Sequence, residues 1–327
     1  MLDGKTIFIT GGSGSFGHAL VGYLLAHLKP RKVIVYSRDE HKQVMMARRY
    51  DDPRMRFFIG DVRDLSRLQL AMRDADFVVH AAALKHVPVA EYNPMECIRT
   101  NVIGADNVVR AALDNGVQRV IALSTDKACS PLNLYGASKL ISDKIFVASN
   151  NIVGTRPTRF AVVRYGNVVG SRGSVVNVFK EMIASGAESL PITDERMTRF
   201  WITLQKGVEF VISCLENMYG GELFVPKIPS MRVIDLARAL APHLALRHIG
   251  IRPGEKLHEV MITADDAREC IDLGDRFVVQ PQLPFWDVHS YRGVGKPVPE
   301  NFNYSSDAND VWLSDDELRT MTNDVQV

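Results

Sequence analysis

The sequence is short of net charge, of cysteine and of long apolar runs. Thirty-nine Lys and Arg offset 38 Asp and Glu over 327 residues, and the resulting charge of +1 sets up no overall field to recruit nucleic acid or an anionic membrane. The four cysteines, Cys97, Cys129, Cys214 and Cys270, form no Cys-x-x-Cys pair. That excludes the usual spacing of a zinc site or dithiol redox motif, predicts small core residues in a reducing compartment, and leaves no metal site to expect. No uninterrupted apolar stretch approaches the roughly 20 residues of a membrane helix, and there is no internal repeat or low-complexity tract. The chain enters a strand pattern by Thr6 without a signal-peptide pattern, so a cytoplasmic protein is expected. With 46% hydrophobic and 24% charged residues, the composition is that of a folded globular protein.

What is present is an alternation. Short β-rich runs at 6–10, 32–36, 56–59, 77–81, 119–124 and 160–164 are separated by helical patterns at 16–28, 40–50, 65–73, 94–115 and 135–150. Alternating strand and helix predicts an α/β fold with a Rossmann-type doubly wound parallel sheet and right-handed crossovers. Past residue 170 the regularity fades. Helices are expected at 175–185, 206–217 and 233–244, short strands at 221–225 and 274–280, and an ordered loop at 281–304.

The first strand runs into Thr10-Gly-Gly-Ser-Gly-Ser-Phe-Gly17, with glycines at 11, 14 and 17. Between a strand and a helix, this pattern binds dinucleotides: Gly11 permits the tight turn, Gly14 lets a pyrophosphate approach the backbone, and Gly17 lets helix and strand pack closely. The amides of Ser15 and Phe16 at the helix start would face the phosphates. At the tip of the second strand, where an NAD enzyme carries an acid for the ribose diol, stand Ser37 and Arg38, with Lys42 nearby. A hydroxyl and two cations suit a 2′-phosphate, which favours NADP. Asp39 suits a diol if the strand runs one residue longer. Asp61 is placed to bond the adenine amino group, and Ala81, Ala82 and Ala83 to pass beneath the cofactor.

Ser124–Lys139 reads STDKACSPLNLYGASK. Tyr135 and Lys139 are four apart and share a helix face. An ammonium beside a phenol is expected to lower its pKa, so that Tyr135 can take a hydroxyl proton while hydride leaves the same carbon. Thr125 (or Ser124) can hydrogen-bond that hydroxyl. Asp126-Lys127 goes beyond the needs of a plain dehydrogenase.

These stretches, with AAALKHVPVAEYNP, VVRYGNVVGSRGSVV, MTRFWITL, FVPKIPSMR and GIRPGEKLHEVM, cover nearly the whole chain. Together they resemble the extended short-chain dehydrogenases that act as inverting UDP-N-acetylglucosamine 4,6-dehydratases in pseudaminic acid and flagellin glycan synthesis. Tyr135 fits that group better than related capsule enzymes, which have Met there; Cys129-Ser130 departs from its small or Asn-like residues. The resemblance implies oxidation at C4, loss of water across C5–C6 and hydride return to C6, with Lys127 as C5 base and Asp126 as C6 acid. A buried Asp–Lys pair prefers to be ionised, so the site must overcome that preference.

The resemblance further implies that Ser13, Val62 and Asn101 join the cofactor site. It implies that Lys85, Asn167, Ser171, Arg172, Arg199 and Arg252 receive the sugar nucleotide, with Glu255 on the uridine ribose and Thr193 and Asp194 near the pyranose or uracil. Residues 1–170 are then the NADP-binding and catalytic domain. Residues 171–327 are a smaller α/β unit for UDP-N-acetylglucosamine, with some segments returning to the first sheet. A homo-oligomer, dimer or hexamer, is expected. A C5-retaining dehydratase, a 4-epimerase and a non-catalytic nucleotide sensor are the competing readings; the first two differ in product, and the last has no need of Tyr135 and Lys139.

Overall fold

The structure is a computed structural model describing residues 1–171, 173–287 and 290–323. Its elements, in chain order, are β1 (Thr6–Thr10), α1 (Ser15–His27), β2 (Lys32–Ser37), α2 (Glu40–Arg49), β3 (Met55–Ile59), α3 (Leu65–Ala71), β4 (Phe77–His80), α4 (Val87–Tyr92), α5 (Pro94–Ile98), α6 (Gly104–Asp114), β5 (Arg119–Thr125), α7 (Leu134–Ala148) and β6 (Arg159–Tyr165). Then come β7 (Asn167–Val168), α8 (Val175–Ala184), β8 (Ser189–Ile192), β9 (Thr198–Ile202), α9 (Leu204–Asn217), β10 (Leu223–Pro226), β11 (Ser230–Arg232), α10 (Val233–Leu240), β12 (Ala245–His248) and β13 (Val260–Ile262). The last are α11 (Ala264–Ala267), β14 (Cys270–Asp272), β15 (Arg276–Val279), β16 (Lys296–Pro297), β17 (Tyr304–Ser305) and α12 (Asp315–Asn323).

The main sheet has the order β16-β14-β15-β10-β6-β5-β4-β1-β2-β3. From β3 through β10 every neighbouring pair is parallel; β15, β14 and β16 add an antiparallel edge. Strand order reverses between β1 and β4, so the loops at their carboxyl ends splay apart and open a crevice there. The strand sequences dictate burial on both faces. Phe8, Tyr36, Val78, Val120 and Val162 pack into one core, while the alternating Ile7, Ile9, Val35, Val79, Ile121 and Val163 pack into the other. A third core, around Phe179, Leu190, Trp201, Met231 and Leu236, belongs to the C-terminal segments. The four cysteines are buried and free.

Two local features depart from the sequence pattern. The helix expected over 94–115 is interrupted by a π-helical turn at Arg99–Ile103. There Asn101, almost wholly buried, clamps the backbone of Leu84 from both sides, accepting from its N–H at 2.8 Å and donating to its carbonyl at 2.9 Å. The helix α4 was not anticipated, because Pro88 and Pro94 bracket a stretch too short to show periodicity; Pro is nonetheless at home in a helix's first turn. The short strands β7, β8, β9, β11, β12 and β13 also lacked a local signature, since each is two to five residues and is defined by a distant partner.

His80, at the end of β4, bonds Thr10 Oγ1 through Nδ1 at 2.8 Å, and burial drives its pKa down to about 3. The unfolded chain takes up a proton near pH 6.5 that the folded protein refuses until about pH 3, so stability is lost as pH falls through that window. His80 alone is expected to remove about 2 kcal/mol between pH 7 and pH 5. Urea midpoints of wild type and His80→Gln at the two pH values check this; an equal loss in both proteins refutes it.

Candidate active site

A cleft of about 670 Å³ runs along the carboxyl ends of the parallel strands. At one end lie Gly11, Ser13, Gly14, Ser15 and Phe16 from the first turn, Ser37, Arg38, Asp39 and Lys42 from the second, Asp61 and Val62 from the third, and Ala81–Ala83 from the fourth. Thr125, Asp126, Lys127, Tyr135 and Lys139 form its middle, and Lys85, Asn167 and Ser171 its far end.

The glycine-rich turn is shaped by close approach. Gly11 has φ +65°, and a Cβ there would lie 2.8 Å from the Ala82 backbone; at Gly17 it would lie 2.1 Å from the Gly12 carbonyl. Helix α1 therefore starts hard against the strand end, with no side chain capping it. A bare helix N-terminus under a glycine turn fits a dinucleotide pyrophosphate. At the β2 tip, Ser13 Oγ donates to Ser37 Oγ at 2.9 Å, and Gln43 Nε2 donates to the same oxygen at 2.9 Å. Asp39 caps α2 by accepting from Lys42 N at 2.9 Å and also pairs with the Lys42 ammonium. Arg38 stays exposed, 3.8 Å from Asp61. Burial works against ionisation of Asp61, but hydrogen bonds from Arg63 outweigh it and hold that carboxyl below its ordinary range. Asn101 lies off the cleft wall, its amide nitrogen also donating to Ser138 Oγ of α7 at 2.9 Å.

The middle of the cleft is dense in proton-carrying groups. Strand β5 ends at Thr125, and a single 3-10 turn, Asp126–Ala128, presents the next two side chains. Asn133 caps α7 by accepting from Gly136 N at 2.8 Å, which sets Tyr135 in the first turn and Lys139 one turn on. Its amide also donates to Gly254 O at 2.8 Å and ties the catalytic helix to the 250–255 loop. Asp126 is 1% exposed. Its Oδ1 accepts from Thr125 Oγ1 at 2.8 Å and from Lys127 Nζ at 3.0 Å. Burial works against the charge on Lys127, but Asp126 and Glu259 outweigh it and hold the amine above its ordinary lysine value. Lys127 thus rests as an ammonium paired with Asp126.

Tyr135 differs from the sequence expectation. Burial pushes its phenol up to about 12, and the cation that first offsets this is Lys127, followed by a hydrogen bond with Thr125. Lys139 is itself buried and its amine depressed for that reason. Desolvation in the cleft exceeds the attraction between two groups one turn apart.

The remaining sugar-side residues divide. Asn167 Oδ1 and Ser174 Oγ are buried at the cleft without hydrogen-bond partners among the described residues, a pattern of polar atoms that a ligand satisfies. Thr193, Asp194, Arg199, Arg252 and Glu255 do not reach the cleft wall. Thr193 meets Met197 Sδ, Asp194 binds Arg196, and Arg252 binds Glu255. Arg199 turns inward to the carbonyls of Thr198 and Leu257. Arg172 lies outside the described residues. Sequence reasoning missed Glu259, whose carboxylate is 2% exposed and 3.3 Å from Lys127 Nζ. It also missed Gly136, where a Cβ would lie 2.1 Å from the Lys127 carbonyl. Glu259 carries no local signal, whereas a glycine in the first turn of a catalytic helix was a readable hint of close approach.

Among the described residues no helix is long and apolar enough to cross a membrane, and no group of three His, Cys, Asp or Glu side chains is arranged as metal ligands. Comparison with known proteins supplies the context. An inverting UDP-N-acetylglucosamine 4,6-dehydratase from Campylobacter jejuni is 57% identical over 99% of this chain and 98% of its own. The solved structure of Pen from Bacillus thuringiensis superposes with a TM-score of 0.90 at 34% identity, covering 98% of both chains. A dTDP-glucose 4,6-dehydratase from Streptomyces venezuelae, DesIV, solved with NAD and TYD bound, superposes at 0.72 with 25% identity over 86% of this chain and 93% of its own. The family profile described as "Polysaccharide biosynthesis protein" matches residues 7–281. A Rossmann cleft built for a nicotinamide dinucleotide, a Tyr–Lys helix beside a buried Asp–Lys pair, and this end-to-end similarity place the chain in that polysaccharide biosynthesis family of extended short-chain dehydrogenases.

Proposed function

We propose that the chain is an NADP-dependent UDP-N-acetylglucosamine 4,6-dehydratase, a lyase that inverts C5 and forms UDP-2-acetamido-2,6-dideoxy-β-L-arabino-hexos-4-ulose. The observation that carries this is the Asp126–Lys127 pair, 3.0 Å apart at the end of β5 beside Tyr135. A nicotinamide held along this cleft would supply the hydride acceptor for C4 and the hydride donor for C6. Tyr135 accepts the C4 hydroxyl proton, with Thr125 holding that hydroxyl and Lys139 bracing the same helix face. The C4 ketone acidifies the C5 proton, which Lys127 removes while Asp126 protonates the departing C6 hydroxyl; after hydride return to C6, C5 is reprotonated from the opposite face, which inverts it. Moving one proton from Lys127 to Asp126 along their hydrogen bond converts the resting ion pair into this base and acid without exchange with solvent. Residues 1–170 carry the cofactor and the chemistry, and 171–327 chiefly the UDP-sugar.

Incubation with UDP-N-acetylglucosamine in D2O, with no cofactor added, tests the reading. The expected result is a 4-keto, 6-deoxy product bearing deuterium at C5 in the inverted configuration by NMR. No 4-keto product and no deuterium at C5 refute it. A 4-epimerase instead returns a 4-hydroxy sugar that keeps oxygen at C6.

NADP, rather than NAD, is supported by the β2 tip: Asp39 is engaged in capping α2, while Arg38 is exposed on the cleft rim. Arg38→Ala is expected to weaken NADP binding by about 1–3 kcal/mol, the range of a charge-assisted hydrogen bond, and to leave NAD binding nearly unchanged. Equal NADP affinity by calorimetry refutes the assignment.

A further inference from the structure

Glu259 has no role in the chemistry described so far, yet few charged side chains in the protein are as deeply placed. Its backbone is pinned on both sides by Ser306, whose Oγ accepts from Glu259 N at 2.9 Å and whose N–H donates to Glu259 O at 2.8 Å. Its carboxylate is 2% exposed. Three cations surround it: Lys127 Nζ at 3.3 Å, Lys256 Nζ at 3.7 Å and Arg199 Nε at 3.9 Å. Oε2 makes no hydrogen bond among the described residues. A buried carboxylate is tolerated only where opposite charge compensates it. Here the compensation exceeds what one ion pair needs, because Lys256 and Arg199 still balance Glu259 after Lys127 becomes neutral.

Lys127 needs such a partner. It projects on a four-carbon stem from a single 3-10 turn, and the carboxylate it hydrogen-bonds at rest belongs to its immediate neighbour. A free lysine stem carries about 2 kcal/mol of rotamer entropy. When Asp126 receives the proton from Lys127, the amine's lone pair first points at Asp126. To take the C5 proton, the amine must turn about its Cε–Nζ bond while Asp126 turns its O–H to the C6 oxygen. An N–H kept on Glu259 during that exchange leaves one direction for the lone pair, toward the cleft.

Resting on the dehydratase reading above, we propose that Glu259 is the positioning residue of Lys127: it is the carboxylate the amine keeps when Asp126 turns to the C6 oxygen, and it aims the lone pair at C5. The proton count closes. Lys127 passes one proton to Asp126, Asp126 passes it to the leaving hydroxyl as the C6–O bond breaks, and the C5–H bond breaks to re-form the Lys127 ammonium; after hydride return to C6, C5 takes up one solvent-exchangeable proton, balanced by the C4 hydroxyl proton released from Tyr135. The groups facing that ammonium are Asp126 on its own turn, Tyr135 from α7, Arg199 from β9, and Glu259, with Lys256 behind it, from the segment before β13.

The test is Glu259→Gln in the purified holoenzyme, which keeps the shape and a hydrogen-bond acceptor but removes the charge. C4 oxidation takes no proton from Lys127, and Glu259→Gln leaves the Lys127 ammonium beside Tyr135, so addition of UDP-N-acetylglucosamine should still reduce the bound nicotinamide, read by its absorbance, with KM within about threefold of wild type. Formation of the 4-keto product should fall about 10- to 100-fold. The alkaline limb of kcat, where the pair loses the Lys127 proton to solvent, should move down by about 1–3 pH units, since one of the two anions holding that proton is gone. Lys256→Gln should move the same limb up, because Glu259 then acts on Lys127 with less compensation; this variant carries the test should Glu259→Gln fail to fold. Wild-type turnover with an unmoved pH profile in Glu259→Gln overturns the proposal. So does joint loss of melting temperature and nicotinamide reduction, which a merely structural carboxylate produces, and so does a Lys256→Gln profile that stays in place. If the wild-type enzyme neither reduces its nicotinamide nor forms the 4-keto product, the dehydratase reading fails; if it does both and Glu259→Gln matches it, only the role of Glu259 fails.

Discussion

Replacing Lys127 with alanine is expected to cut formation of the 4-keto product by about 10²- to 10⁴-fold, the scale on which a positioned acid or base acts, while the substrate still reduces the bound nicotinamide. The two readouts separate because Tyr135, Thr125 and Lys139 serve C4 oxidation, which should slow only as far as Tyr135 loses the cation that first offsets its burial. Deuterium should no longer enter C5, and the oxidised sugar should remain on the enzyme. The variant has a structural cost as well: Lys127 pairs with two carboxylates that are 1% and 2% exposed. Stripping the cation from a buried pair commonly costs about 3–5 kcal/mol unless a carboxyl takes up a proton. Melting curves at pH 6 and pH 8 should therefore show the variant losing more stability at the higher pH, where that protonation is harder. A variant that keeps most of its turnover refutes the base assignment outright.

Gly136→Ala is the second large expectation. A methyl group there meets the carbonyl oxygen of Lys127 at 2.1 Å and its carbonyl carbon at 3.0 Å, both backbone atoms that cannot rotate away. Relief requires moving α7 off the Asp126–Ala128 turn, which carries Tyr135 away from Thr125 and Lys127. Overpacking of this kind typically costs about 1–3 kcal/mol. The loss of activity should be larger, about 10²-fold, since a shift near 1 Å at reacting groups costs that much. The measurement is product formation together with the melting temperature. Activity near wild type shows that the helix and the turn have more room than this packing allows.

Both expectations rest on contacts that differ in how far they could be read in advance. The glycine-rich turn, the cation-bearing β2 tip and the Tyr135–Lys139 spacing were legible because each is a local pattern. A tight turn needs Gly11, an exposed strand tip displays whatever follows it, and residues four apart on a helix share a face. Strand and helix alternation up to residue 165 was legible for the same reason, since periods of 2 and 3.6 are written along the chain. The five residues that stay off the cleft wall, Thr193, Asp194, Arg199, Arg252 and Glu255, were placed by resemblance rather than pattern.

What the amino-acid order determined by itself was therefore the parallel sheet, its glycine-rich turn, and the presence of Thr125, Asp126, Lys127, Tyr135 and Lys139 near one strand end. Only the tertiary structure decided their electrical state. Burial pushes the Tyr135 phenol up to about 12, against the lowering that the spacing to Lys139 suggested. A carboxylate 132 positions downstream of Lys127, delivered by the segment before β13, completes the clamp on that amine. Desolvation and long-range pairing depend on what the whole chain packs around a group, and no local stretch of sequence records that.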